Sequence, residues 1–281
     1  MHSIFPKNVV AIHAHPDDTE IFCAGTLKLL ADCGYSVTIV TLTPGGMGGI
    51  NSTEKKTIAL RKKEAQKAAE LINAGYICLD GRDGYLFDTL KLRLDVLKII
   101  RQKEAGIIIT HRPDDYHSDH RATCQIVDAS AMLSSLPNVP LKEKPLEVTP
   151  LLYHSAPLGL SDPLGRMLDK PHFYVNVGSV METKMQMLEC HQSQIDLMRV
   201  MHKMDDFYGE MKKLIRSLGT ESGCEFAEAF WQHLGGGYQK NSVLQEALQK
   251  FLTSNAEKKS KSIITQKVRE IKKIIAKQRM R

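Results

Sequence analysis

The chain has 281 residues, 42% hydrophobic and 25% charged, enough for one sizeable α/β domain with a small appendage. No apolar run approaches the roughly 20 residues of a membrane-spanning helix, and Met1 to Lys7 runs straight into a strand-like segment without a signal-peptide pattern, so a cytoplasmic protein without stable membrane insertion is expected. The formal net charge of +6 is concentrated from Glu257 onward, where ten Lys/Arg face two Glu; the remainder is slightly acidic and predicts no nucleic-acid partner. Six scattered cysteines without a CxxC pair read as reduced thiols rather than a zinc-thiolate site or disulfide framework.

Residues 7–13 read as a buried strand ending in the cluster His15-Pro16-Asp17-Asp18-Thr19-Glu20. Asp17 to Gly34 reads as one helix, with Pro16 at the entry and Gly34 as the stop. The β-branched run 36–42 is a second strand, broken by Pro44-Gly45-Gly46-Met47-Gly48-Gly49. A helix from about Thr53 to Asn73 follows, then a short strand at Tyr76–Leu79, a helix at 90–104, a strand at Ile107–Thr110 and a helix at 121–133. Past Pro137 the pattern loosens into Pro-rich segments enclosing strands at 151–154 and 173–177, a helix over 179–201, and a short apolar segment, Glu225–Trp231, suited to a sheet edge. This alternation predicts an α/β, Rossmann-like three-layer sandwich: a mostly parallel sheet with helices on both faces and a looser C-terminal part. Residues 1–253 are read as one domain and 254–281 as a basic amphipathic tail. Its Ile264, Val268, Ile271 and Ile275 fall at helical spacing, suited to packing on the body or in a homo-oligomer.

Parallel sheets place their sites beyond the carboxyl ends of the strands. The first cluster and a second, Pro113-Asp114-Asp115-Tyr116-His117-Ser118-Asp119-His120, both follow strands, as do the glycine-rich loop and the Asp83 loop. Taken alone, each cluster has a plain explanation, a helix N-cap or a chance HxxH. Together they supply His15, Asp18 and His120 for one divalent cation with a position left open. Asp17 remains as general base on activated water, His117 to polarise a carbonyl or protonate a leaving group, and Asp119 to orient an imidazole. Zinc suits this set, and so does ferrous iron. His13 reads as a hydrogen-bonded residue ending the strand, and His191 as a structural neighbour of the site. The glycine loop lacks both the GxxxxGK[ST] order and the GxGxxG spacing, which argues against a nucleotide cradle.

These residues resemble the PIG-L/LmbE family of zinc-dependent N-deacetylases. His15 to Glu20 is similar to its HPDD-x-E motif, His117-Ser118-Asp119-His120 to its HxDH motif, Arg61 to Glu64 to an Arg-x-x-Glu, and Lys184 with His191 to Gln194 to a later helix. The resemblance implies one zinc held by His15, Asp18 and His120, with Asp17 as base and His117 as electrostatic or acid partner, acting on a small N-acetyl sugar conjugate of GlcNAc type. Arg61 and Asp83 stand where sugar-thiol deacetylases of that family contact substrate. The loop Thr43–Gly49 departs from relatives with acidic residues there, implying a different aglycone. The competing readings are a metal-dependent hydrolase of another amide or ester and a non-catalytic sugar- or nucleotide-binding domain.

Overall fold

The computed structural model describes residues 4–253, and the tail expected over 254–281 lies outside them. Seven strands form one sheet: β1 (Asn8–His13), β2 (Ser36–Thr41), β3 (Gly75–Cys78), β4 (Ile107–Thr110), β5 (Leu151–Ser155), β6 (Phe173–Asn176) and β7 (Ala227–Gln232). Their order is β3-β2-β1-β4-β5-β7-β6; the first five are mutually parallel and β7 runs antiparallel between β5 and β6. The helices are α1 (Asp18–Phe22), α2 (Ala24–Asp32), α3 (Glu54–Glu70), α4 (Leu90–Gln102), α5 (Ser118–Leu133), α6 (Met181–Glu189), α7 (Gln192–His202), α8 (Phe207–Ser222) and α9 (Val243–Ala247).

Strand side chains alternate between faces, and here both faces are dry. Val9, Ala11, Ile107 and Ile109 pack with Leu27 and Leu30 of α2, Ala68 of α3 and Met187 of α6. Val10, Ile12 and Ile108 pack with Val96 and Ile100 of α4 and Ile126 and Val127 of α5. This explains the unbroken Val/Ile runs and bears out the three-layer α/β reading. Gly34 ends α2 at φ +80°, a conformation without steric cost only for glycine. All six cysteines are free.

Three expected elements differ. The helix read over Asp17–Gly34 is two helices broken at Cys23. Glu228 of β7 causes this by accepting hydrogen bonds from the Gly25 and Thr26 N–H groups (2.9 and 2.7 Å), capping α2 from across the fold. The helix read over 179–201 is likewise α6 and α7, where Glu64 of α3 accepts from the Ser193 N–H and Oγ (2.9 and 2.6 Å). The segment 225–231 is no edge: β7 is an interior strand, buried throughout.

Candidate active site

The turn after β1 carries His15 and Asp17, and α1 opens on Asp18; the turn after β4 carries His111, Asp115 and His117, and the first turn of α5 carries Asp119 and His120. Because β1 and β4 are adjacent and parallel, both turns emerge at one end. Asp18 lies between two imidazoles, its Oδ2 3.3 Å from His15 Nδ1 and its Oδ1 3.2 Å from His120 Nε2.

Three histidine/carboxylate groups here are tight enough to hold a cation: His15/His117/His120, Asp18/His111/His120 and His15/Asp83/Asp119. Hydrogen-bond accounting separates the roles, since a neutral imidazole has one donor and one acceptor nitrogen. His111 Nε2 accepts from the Ala14 N–H (3.0 Å), so that lone pair is taken. His117 Nδ1 accepts from the Asp119 N–H (3.1 Å), so its proton sits on Nε2, which acts as a donor. His15 Nε2 lies 3.3 Å from both Asp83 Oδ1 and Asp119 Oδ2, where it donates, leaving Nδ1 facing Asp18. His120 Nδ1 donates to Asp115 Oδ1 (2.9 Å), leaving Nε2 facing Asp18. The lone pairs free to meet at one point are therefore those of His15 Nδ1, His120 Nε2 and the Asp18 carboxylate. That set fits zinc with an open position, and each imidazole has the carboxylate support typical of metal ligands.

The electrostatics agree. Burial alone would lower the pKa of His15, but the Asp18 charge and bonds to Asp119, Asp18 and Asp83 raise it well above the usual value. Burial likewise opposes the His120 proton, yet Asp18 and Asp115 hold this group up to about 9. Burial would raise Asp18, but the His120 and His15 charges drive it well below the carboxylate range. A field that keeps protons on two buried imidazoles also favours a divalent cation in their place.

Asp17 sits at φ +115°, ψ −25°, a left-handed backbone rare outside glycine and the kind of strain that persists at functional sites. Burial raises its carboxyl to about 6 against the opposing pull of the Arg61 guanidinium. Arg61 is 3% exposed. Its Nη2 donates to Pro16 O (2.5 Å) and Asp17 Oδ1 (3.2 Å), and its Nη1 to Gly45 O (3.0 Å). These bonds tie the two loops beside Asp17. Asp83 accepts from the Met47 N–H (2.9 Å) and faces His15. The glycine loop has a similar structural reason: a Cβ on Gly45 would stand 2.2 Å from Arg61 Nη1, so the loop lies flat against α3. His117 is partly exposed beside the cluster, and burial with the His120 and His15 charges lowers its pKa.

Asp115 and His111 belong to the site although the sequence reading gave them no role. Asp115 orients His120 and also faces His111 Nδ1 at 3.8 Å. A carboxylate five residues before the candidate ligand His120, across a helix cap, was the available signal. His13 is hydrogen-bonded at the strand end, Nδ1 to Thr19 Oγ1 (3.0 Å) and Nε2 to Ser155 Oγ (3.4 Å), and His191 lies 3.4 Å from Glu20.

A family model for PIG-L, GlcNAc-PI de-N-acetylase, matches residues 10–131, which contain both turns. Diacetylchitobiose deacetylase from Thermococcus kodakarensis is 30% identical over 234 residues, covering 79% of this chain and 81% of that protein. The chain belongs to the PIG-L family. A second PIG-L relative, a probable N-acetyl-alpha-D-glucosaminyl L-malate deacetylase 2 from Bacillus cereus, is 27% identical, covering 81% of this chain and 98% of its own. Among solved structures, N,N'-diacetylchitobiose deacetylase from Pyrococcus horikoshii superposes with a TM-score of 0.70 at 25% identity, covering 84% of this chain and 87% of that one. A 4-carboxy-2-hydroxymuconate hydratase from Pseudomonas putida superposes equally well at 18% identity, with 83% and 98% coverage, and shares the fold alone. Among the described residues of this PIG-L protein, no helix is long and apolar enough to cross a membrane.

Proposed function

We propose that the chain is a metal-dependent hydrolase that removes the acetyl group from an N-acetylated amino sugar of GlcNAc type. The observation carrying this reading is the convergence of three free lone-pair donors, His15 Nδ1, Asp18 and His120 Nε2, beside a strained carboxylate and an imidazole donor. A divalent cation held there, zinc by the donor chemistry and ferrous iron as the alternative, supplies Lewis acidity that acidifies water and polarises the acetyl carbonyl.

The chain's own residues do the rest. Asp17, with its pKa raised to about 6, is ionised at neutral pH yet basic enough to take a proton from water, and Arg61 fixes its direction. His117 directs its Nε2–H at the acetyl oxygen, where negative charge develops as the carbonyl carbon becomes tetrahedral. Because the Asp119 N–H occupies Nδ1, giving up the Nε2 proton would leave an imidazolate. His117 is therefore the charge-stabilising donor, and Asp17 carries the proton to the departing amine. Asp83 and Asp119 hold His15, and Asp115 holds His120.

Matched N-acetyl, longer N-acyl and O-acetyl sugars test this reading with the metal-loaded protein. Faster release of acetate from the N-acetyl sugar supports it; preference for the O-acetyl ester or a longer amide moves the activity to another hydrolase class, and hydration of an unsaturated acid would align the chain with its hydratase neighbour.

A further inference from the structure

The motif His191-Gln192-Ser193-Gln194 opens α7 against the two elements that hold the base. Asp17 and Glu20, three apart at the start of α1, share one face, as do Arg61 and Glu64 of α3. The first turn of α7 meets both faces. Ser193 bonds Glu64, the Gln194 amide donates to Gly48 O (3.1 Å), and His191 Nε2 stands 3.4 Å from Glu20 Oε2. Arg61, on that same face of α3, holds Asp17.

Ser193 and Gln194 are thus accounted for by structural bonds, and His191 is not. It is 0% exposed, yet among the described residues neither ring nitrogen has a hydrogen-bond partner, since Nε2 is poorly aligned on Glu20. Its side chain does not cap α7; Glu64 does. A buried polar group without a partner carries its full desolvation cost, so an apolar side chain would serve better were packing the only duty. Arg61 Nε and Thr57 Oγ1 of α3 are likewise buried and unpartnered. Burial opposes a proton on His191, but Glu20 and then Asp17 raise its pKa above the usual value, against the Arg61 charge. Both ring nitrogens are donors in that state, and the carboxylates whose charge favours it are Glu20 and Asp17. On Asp17, after burial, Arg61 and Asp18, the His191 charge weighs next, ahead of that of His15.

We propose that His191, oriented by Glu20, is a positioning residue for Asp17: its N–H groups and the Arg61 guanidinium together fix the base carboxylate. This rests on the reading of Asp17 as the base. Bonds of this kind are loose before substrate arrives and tighten in the reacting complex. His191 therefore acts on turnover, and neither metal nor substrate binding depends on it.

The test uses zinc-loaded wild type, His191→Gln, Asp17→Asn and the apolar pair His191→Phe/Glu20→Leu, which removes both buried polar groups at once and so strands no charge. Zinc content, urea unfolding and acetate release from GlcNAc and N,N'-diacetylchitobiose are measured on each. The apolar pair should fold and hold zinc, with KM unchanged and kcat down about 10–100-fold, the cost of a misplaced reacting group. His191→Gln, whose amide still offers N–H donors, should recover most of kcat. Wild-type kcat in the apolar pair, or a kcat in His191→Gln as low as in that pair, overturns the proposal and leaves deacetylation intact. Should the apolar pair fail to fold, His191→Gln is compared with His191→Phe alone, and equal kcat in the two overturns it. If wild type releases no acetate, 15N NMR of histidine-labelled protein decides, with the His191 signal assigned by its loss in His191→Gln. A His191 signal that moves in Asp17→Asn keeps the contact and discards the reaction, and one that stays in place discards both.

Discussion

Replacing Lys184 by Met should unfold the region that carries the general base, because Lys184 anchors it from inside the core. Lys184 and Glu228 form an ion pair at 2.8 Å with side chains 1% and 2% exposed. The ammonium spends its three protons on Glu228 Oε1, Glu20 O and Ile21 O, each at 2.8 Å. Glu228 in turn caps α2 through Gly25 and Thr26. Removing the lysine leaves a buried carboxylate without its counter-charge and two carbonyls of α1 without a donor. Breaking a buried pair from one side costs about 3–5 kcal/mol, a large part of the roughly 5–15 kcal/mol that holds a domain together. Urea unfolding followed by the fluorescence of the single tryptophan, Trp231, reads this directly. Turnover should fall as well, since the two carbonyls belong to the helix that follows Asp17 and Asp18. The double variant Lys184→Met/Glu228→Gln should recover much of the stability, because it removes the stranded charge. A Lys184→Met protein within about 1 kcal/mol of wild type, with unchanged kcat, would refute the argument that this pair sets the base.

Four further outcomes are expected. Asp17→Asn should keep its metal and lose turnover, whereas His120→Ala should lose both, as metal analysis and acetate assay on the same samples will show. Asp115→Asn should weaken metal affinity by about 10–100-fold in a chelator competition, because His120 loses the carboxylate that orients it. Burial lowers the pKa of His154 to about 4, below its unfolded value of about 6.5. The unfolded chain then binds the extra proton, so stability is complete above pH 6.5 and falls toward pH 4, by about 3 kcal/mol in all. Unfolding midpoints across this range should fall less steeply in His154→Gln than in wild type. Finally, since the Asp18 field holds protons on His15 and His120, metal binding should release protons, and apparent affinity should rise from pH 6 to pH 8.

The parallel core was legible because its strands are buried on both faces and their Val/Ile runs have no other simple explanation. The candidate site residues could be picked out because each motif follows a strand, and the structure brings His15, Asp18 and His120 together. What escaped the sequence was long-range capping. Nothing near Cys23 announces a helix break, because the carboxylate that makes it, Glu228, stands 203 positions from Gly25. The same holds for α7, capped by Glu64 from 129 positions away. Strand β7 was misplaced for a related reason: an interior antiparallel strand, buried on both sides, has no alternation to reveal its neighbours. The burial of Arg61 against Asp17 was not legible either, since a lone arginine on a Lys-rich helix carries no signal of what covers it.

The most direct test is acetate release from N-acetylated sugars by metal-stripped protein before and after zinc is restored. No release is expected from the stripped protein and recovery on one equivalent of zinc, with His15→Ala and His120→Ala failing to recover. Equal release with and without metal, or full recovery in His120→Ala, would contradict the assignment of His15, Asp18 and His120 as the centre of the reaction.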